Sequence, residues 1–147
     1  MTLWYRVFGA GETEPAPGAL LERLSHLAVV TGRFSADQRG WFRAELVVAG
    51  AAPLELERFL STEEGIRAEL NSWAAHLETC GEGPQHTLLM ERMIQTKQMF
   101  TIGDPTSANK ELCVALCRHL AETTAGVYQI DGRGFFGADG ALLIEDE

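Results

Sequence analysis

Leu27-Ala28-Val29-Val30-Thr31-Gly32-Arg33-Phe34 and Gly40-Trp41-Phe42-Arg43-Ala44-Glu45-Leu46-Val47-Val48-Ala49 stand on either side of a short polar connection, Ser35-Ala36-Asp37-Gln38-Arg39. Two runs rich in branched and aromatic residues, joined by so short a link, predict a β-hairpin. In the second run Trp41, Arg43, Glu45 and Val47 alternate with Phe42, Ala44, Leu46 and Val48. Successive side chains of a strand point to opposite faces, so the second set, the more apolar, reads as the buried one.

Working outward, Leu3-Trp4-Tyr5-Arg6-Val7-Phe8 predicts a first strand that stops at Gly9, with a loop from Glu12 to Pro17. Leu20, Leu24, Leu27 and Ala28 then recur at helical spacing, which predicts a short helix over 17–26 with proline in its first turn. Beyond the hairpin, Pro53 ends the strand region and Leu54 to Leu60 reads as a short helical piece. Ser61-Thr62-Glu63-Glu64 fits a capping box, and Ile66, Leu70, Trp73 and Leu77 form one apolar stripe on the helix it would start. Trp73 therefore reads as core. That helix should end near Cys80, before Gly81-Glu82-Gly83-Pro84.

The segment 85–102 reads as helix, then strand, closed by the turn Gly103-Asp104-Pro105. Leu112, Cys113, Leu116, Cys117 and Leu120 mark a helix over about 107–123. Val127-Tyr128-Gln129-Ile130, Phe135-Phe136 and Ala141-Leu142-Leu143-Ile144, punctuated by Asp131-Gly132 and Asp139-Gly140, predict a C-terminal β-meander. The fold class is α+β, with a mixed or antiparallel sheet and helices packed on one face. The first two-thirds has a ferredoxin-like element order, followed by an added helix and the meander. The stretch from Met99 to Ile130 could add a parallel crossover to the same sheet. No repeat, low-complexity tract or long linker divides the chain, so residues 1–147 read as a single domain.

The chain has 147 residues, 12 Lys+Arg against 21 Asp+Glu, and a formal net charge of -9. Such a balance argues against nucleic acid and anionic membranes as partners, because both are bound through clustered cations. The N-terminus shows no signal-peptide pattern, and no stretch approaches the roughly 20 apolar residues of a membrane span. The three cysteines, Cys80, Cys113 and Cys117, are odd in number and suit free thiols in a reducing cytoplasm. Lys97 and Lys110 are the only lysines, a composition that reads as bacterial.

No motif decides a function. His76 and Cys80, and again Cys113 and Cys117, are four apart on predicted helices, so the four could complete a Cys₃His zinc site. The cysteines read first as small buried hydrophobes, and no cofactor is called for. Cys80 with His86 offers a thiol and an imidazole, but at a helix C-terminus, the wrong end for lowering a thiol pKa. Asp131-Gly132-Arg133-Gly134 and Gly103-Asp104-Pro105-Thr106-Ser107 match no phosphate-loop pattern, and turns and a helix cap account for them. Four histidines, His26, His76, His86 and His119, form no spaced cluster. Glu12, Glu14, Asp37, Glu63, Glu64 and the tail Glu145-Asp146-Glu147 read as solvated surface.

Trp4 alternates with Arg6, and Trp41 with Arg43. If these strand faces are neighbours, Trp4, Arg6, Trp41 and Arg43 form an exposed aromatic and charged patch, the composition of an interaction surface. The reading is therefore a cytoplasmic protein acting by non-catalytic binding, most simply of a protein partner. An acidic globule is steered onto a basic partner, and a homo-oligomer is also compatible with such a patch. In size and acidity the chain is similar to bacterial immunity proteins that inhibit nucleic-acid enzymes, which implies a basic protein target. The alternative is a small-molecule-binding or enzymatic domain with a cleft near Cys80, His86, Asp104 and Tyr128.

Overall fold

Side chains along the first strand, β1 (Leu3–Gly9), feed two separate cores: Tyr5 and Val7 enter one, and Phe8 enters the other. That division organises the whole chain, of which a computed structural model describes residues 1–81 and 83–145. The remaining elements are α1 (Pro17–Ser25), β2 (Val30–Asp37), β3 (Gly40–Val48), β4 (Leu54–Leu60), α2 (Ile66–Thr79) and α3 (Pro84–Gln95). They are followed by β5 (Gln98–Asp104), α4 (Lys110–Thr124), β6 (Val127–Ile130), β7 (Gly134–Gly137) and β8 (Leu142–Glu145). The strands form one eight-stranded sheet in the order β2-β3-β4-β5-β1-β6-β7-β8, with every neighbouring pair antiparallel. Among the described residues no helix is long and apolar enough to cross a membrane.

Because four antiparallel steps separate β1 from β2, these two strands run in the same direction, and so do β5 and β6 on either side of β1. The connections β1-α1-β2 and β5-α4-β6 are therefore crossovers. Both helices lie over the first core, where Leu20 and Leu24 of α1 meet Leu112, Leu116 and Leu120 of α4 above Tyr5, Phe100 and Ile102. The helix pair α2–α3 covers part of the other face with Leu70, Leu77, Leu89 and Met93, packed on Phe8, Met99, Val127 and Phe135. The expectation of helices on one face is thus corrected. The strand residues Phe8, Met99, Val127 and Phe135 are apolar on the face opposite the first core, and burying them requires a second helical layer.

Three local readings also change. Leu54 to Leu60 is the strand β4 and not a helical piece: Leu54, Leu56 and Arg58 are buried while Glu55 and Glu57 are less so, a period of two. This third consecutive strand gives the order β-α-β-β-β-α-α-β, which departs from the ferredoxin-like series. Ser61 to Glu64 does not form a capping box, since α2 begins after Gly65, at φ 84°, and the Glu63 carboxylate instead accepts the Leu60 backbone N–H. At the start of α4 the cap comes from further back than Thr106 or Ser107, because the Asp104 carboxylate accepts the Asn109 backbone N–H at 2.9 Å.

The hairpin β2–β3 forms as the sequence predicts, with one irregularity that matters. Ser35 pairs with Arg43, but Ala36 pairs with Trp41, so Phe42 is an extra residue bulged out of the ladder. Parity flips at that point. Trp41 joins Ala44, Leu46 and Val48 in the first core and is 1% exposed, whereas Phe42, expected inside, is 43% exposed.

Candidate functional site

The pairing registers place side chains from distant segments in rows across the α2–α3 face of the sheet. One row runs Ser35, Arg43, Glu57, Thr101, Arg6 and Gln129 over six strands. The next runs Arg33, Glu45, Glu55, Gly103 and Trp4. These rows lie beside the apolar row of Phe59, Met99, Phe8 and Val127 that α2–α3 covers. Apart from Gly103 and Trp4 their residues are polar, and on β2 to β4 they reach solvent: Arg33, Ser35 and Arg43 are exposed, and Glu45, Glu55 and Glu57 are half-buried. An antiparallel sheet tolerates such a solvated half-face.

Ion pairs and rings set the geometry of the face. Arg6 Nη1 donates to Asp131 Oδ1 at 2.6 Å and to Gln129 Oε1 at 3.0 Å, and Gln129 Nε2 donates to the same Asp131 oxygen at 2.9 Å. The Arg6 guanidinium also lies 5.0 Å from the centre of the Trp73 ring, within cation–π range. Trp73 in turn packs edge-on against Phe8, Phe135 and His76, and its Nε1 donates to Glu69 Oε1 at 3.2 Å. It is half-buried, at the margin of the second core and not at its centre. Arg43 Nη2 pairs with Glu55 Oε2 at 3.1 Å. Trp4, 38% exposed, lies across β5 because Gly103 has no side chain: a Cβ there would be 3.0 Å from the ring. Glu69, Ser72, Trp73, His76, Gln129 and Asp131 line an open cavity of about 330 Å³ where this face meets α2.

Of the four patch residues expected from sequence, Trp4, Arg6 and Arg43 share this face, with Arg6 and Arg43 in one row. Trp41 is on the other side of the sheet, in the first core, with its Nε1 donating to the Pro15 carbonyl at 2.7 Å. The sequence alone did not single out Glu57, Thr101, Gln129, Asp131 and Trp73 as part of the face. The only signal for the first was the Leu-Glu-Leu-Glu alternation of residues 54–57.

The four residues proposed as zinc ligands do not converge. Cys80 Sγ is 3.6 Å from His76 Nε2 at the exposed end of α2, while Cys113 and Cys117 are buried under α4 on the opposite face. Among the described residues no three His, Cys, Asp or Glu side chains group in a way that could hold a metal. Burial pushes the Cys113 thiol up to about 12, with the Asp104 carboxylate adding to the effect, and it raises Cys117 as well. Burial of this kind disfavours the thiolate, the nucleophilic form of a cysteine. The cleft near Cys80, His86, Asp104 and Tyr128 is likewise divided by the sheet, since Asp104 and Tyr128 are buried on the α4 side and Cys80 and His86 belong to the α2–α3 layer. Asp131 and Gly132 make the β6–β7 turn, with Gly132 at φ 78°. Glu82, Asp146 and Glu147 lie outside the described residues.

Comparison of the chain with protein-family models, with curated proteins and with solved structures finds no match.

Proposed function

We propose that this chain acts by binding a protein partner, without catalysis, through the uncovered half-face of its sheet, and that the partner presents a basic segment. The observation that carries this reading is the uncovered row of Arg43, Glu57, Thr101 and Arg6, flanked by Trp4 and Trp73. Around it stand the carboxylates of Glu45, Glu55, Glu57, Glu69 and Asp131 against the guanidinium groups of Arg6, Arg33 and Arg43. Two of those guanidinium groups are already neutralised by Asp131 and Glu55. The excess is acidic, and it agrees in sign with the charge of the whole chain, which steers cationic partners. The two indole rings supply flat apolar area of the kind that anchors interfaces.

A short oligo-arginine peptide serves as the probe of this face. Binding measured by fluorescence anisotropy should weaken at least about tenfold in the Glu55→Lys/Glu57→Lys double variant and should fall as salt shortens the Debye length. A Glu22→Lys/Glu111→Lys control carries the same net charge on the α1 and α4 helices. It should keep most of the affinity. Equal losses in the two variants would mean that the peptide reads only net charge, and the half-face would lose its claim.

A further inference from the structure

We propose that the end of the sheet near the β4–α2 turn carries a second binding site, for a small oxyanion such as a phosphate or a carboxylate, built around the buried guanidinium of Arg58. Arg58 belongs to β4, points to the first-core side with Leu54 and Leu56, and is 5% exposed. Three hydrogen bonds fix its orientation: Nε donates to Gln98 Oε1 at 2.8 Å, and Nη1 donates to the carbonyls of Trp41 at 3.0 Å and Arg39 at 3.2 Å. Gln98 is itself locked, its Nε2 donating to the carbonyls of Gly11 at 2.9 Å and Thr13 at 2.7 Å, so that its oxygen is left for the arginine. The Trp41 ring lies 5.9 Å from the guanidinium. Only the Nη2 end has no hydrogen-bond partner among the described residues.

Arg58 itself borders open space. Two cavities, of about 220 and 310 Å³, are each lined by Arg39, Arg58 and Leu60. The smaller is acidic, with Asp37, Glu57 and Glu63. The larger is the reverse: Arg58, Arg39 and Lys97 line it with Ser61, Thr62 and a single carboxylate, Glu12. Three of the chain's 12 basic residues therefore meet at one cavity in a molecule of net charge -9. None of the three forms an ion pair among the described residues; burial lowers the Arg58 pKa, and the nearby carboxylates of Glu14, Glu63 and Asp37 act in the opposite direction. A buried, pre-oriented cation without a paired carboxylate is expensive to keep. An oxyanion in the larger cavity would satisfy the Nη2 donors, with Lys97 and Arg39 as exposed second charges and the Ser61 and Thr62 hydroxyls as further donors. Guanidinium geometry suits phosphate and carboxylate alike, so the chemistry common to both defines the ligand.

The test is an NMR titration of the whole chain at constant ionic strength, with inorganic phosphate in one arm and acetate in the other, following the Arg58 Nε–H and Trp41 Nε1–H resonances. A saturable shift of both signals is expected in at least one arm, and the arm that saturates identifies the ligand as a phosphate or a carboxylate. Arg39 and Lys97 are exposed, so the Arg39→Gln/Lys97→Met variant keeps the fold and should bind at least about tenfold more weakly. Failure of both anions to saturate these signals, or unchanged affinity in the double variant, would overturn the site.

Discussion

Replacing Trp41 with alanine is expected to lower the unfolding free energy by about 3–5 kcal/mol, the range for truncating a large aromatic in a packed core. The same change at Trp4 should cost less than about 1 kcal/mol, as for a surface side chain whose loss leaves no enclosed void. The two tryptophans look alike in the sequence, each two residues before an arginine on an alternating strand, and the β-bulge at Phe42 separates their fates. Trp41 packs between Phe34 and Phe100, with ring centres 5.4 and 5.8 Å away, and its indole N–H holds the Pro15 carbonyl at the entrance to α1. Alanine would remove the ring, leave that carbonyl without its partner and take a wall from around Arg58. Trp41→Phe should fall between, since it keeps most of the apolar area and loses the hydrogen bond. Urea unfolding followed by circular dichroism measures all three. A cost at Trp41 no greater than at Trp4 would place Trp41 outside the core.

The second large effect is a loss of stability in alkali. Tyr5, Tyr128, Cys113 and Cys117 are all buried in the first core, and burial, the leading cause in each case, raises their pKa values. For Cys113 the rise is from 9.0 to about 12. Below the unfolded value both states hold the proton and the group has no effect on stability. Above it the unfolded chain ionises while the native thiol does not, so stability falls as pH rises. The slope is about 1.4 kcal/mol per pH unit for each such group. Between pH 9 and about 12, the interval set by Cys113, the protein should therefore lose several kcal/mol, with Cys117 and Tyr5 adding to the slope. Cys113→Ala should make the decline shallower, even if its stability near neutrality is lower. Equilibrium unfolding at a series of pH values reads this directly, and a flat profile through that window would show that these groups ionise as readily in the folded chain as in the unfolded one.

Much of the local structure was legible because its signals are local. The Asp131-Gly132 and Asp139-Gly140 turns, the stripe of Ile66, Leu70, Trp73 and Leu77, and the short polar link of the hairpin each act within a few residues. The misreadings have physical causes as well. Leu54 to Leu60 is too short for either periodicity to dominate, and pairing with β3 and β5 on both sides decides for strand. The bulge is a one-residue insertion in the ladder, and it reverses the inward face of everything before it on β3. Trp4, Arg6 and Arg43 could be assigned to one kind of face from alternation alone. Their neighbours could not, because Arg6 and Gln129 are 123 positions apart and meet only when β6 pairs with β1. Likewise, no local pattern announces that α2–α3 covers the Phe8 and Met99 row and leaves the Thr101 and Glu57 row open.

The uncovered half-face is tested most directly by amide and indole chemical-shift mapping of the whole chain during titration with the oligo-arginine peptide. The largest changes are expected at the Trp4 and Trp73 indoles and at the backbone of Glu57, Thr101 and Gln129, with α1 and α4 almost silent. Changes concentrated on α1 and α4, or spread evenly over the acidic surface, would contradict the assignment of this face as the binding site.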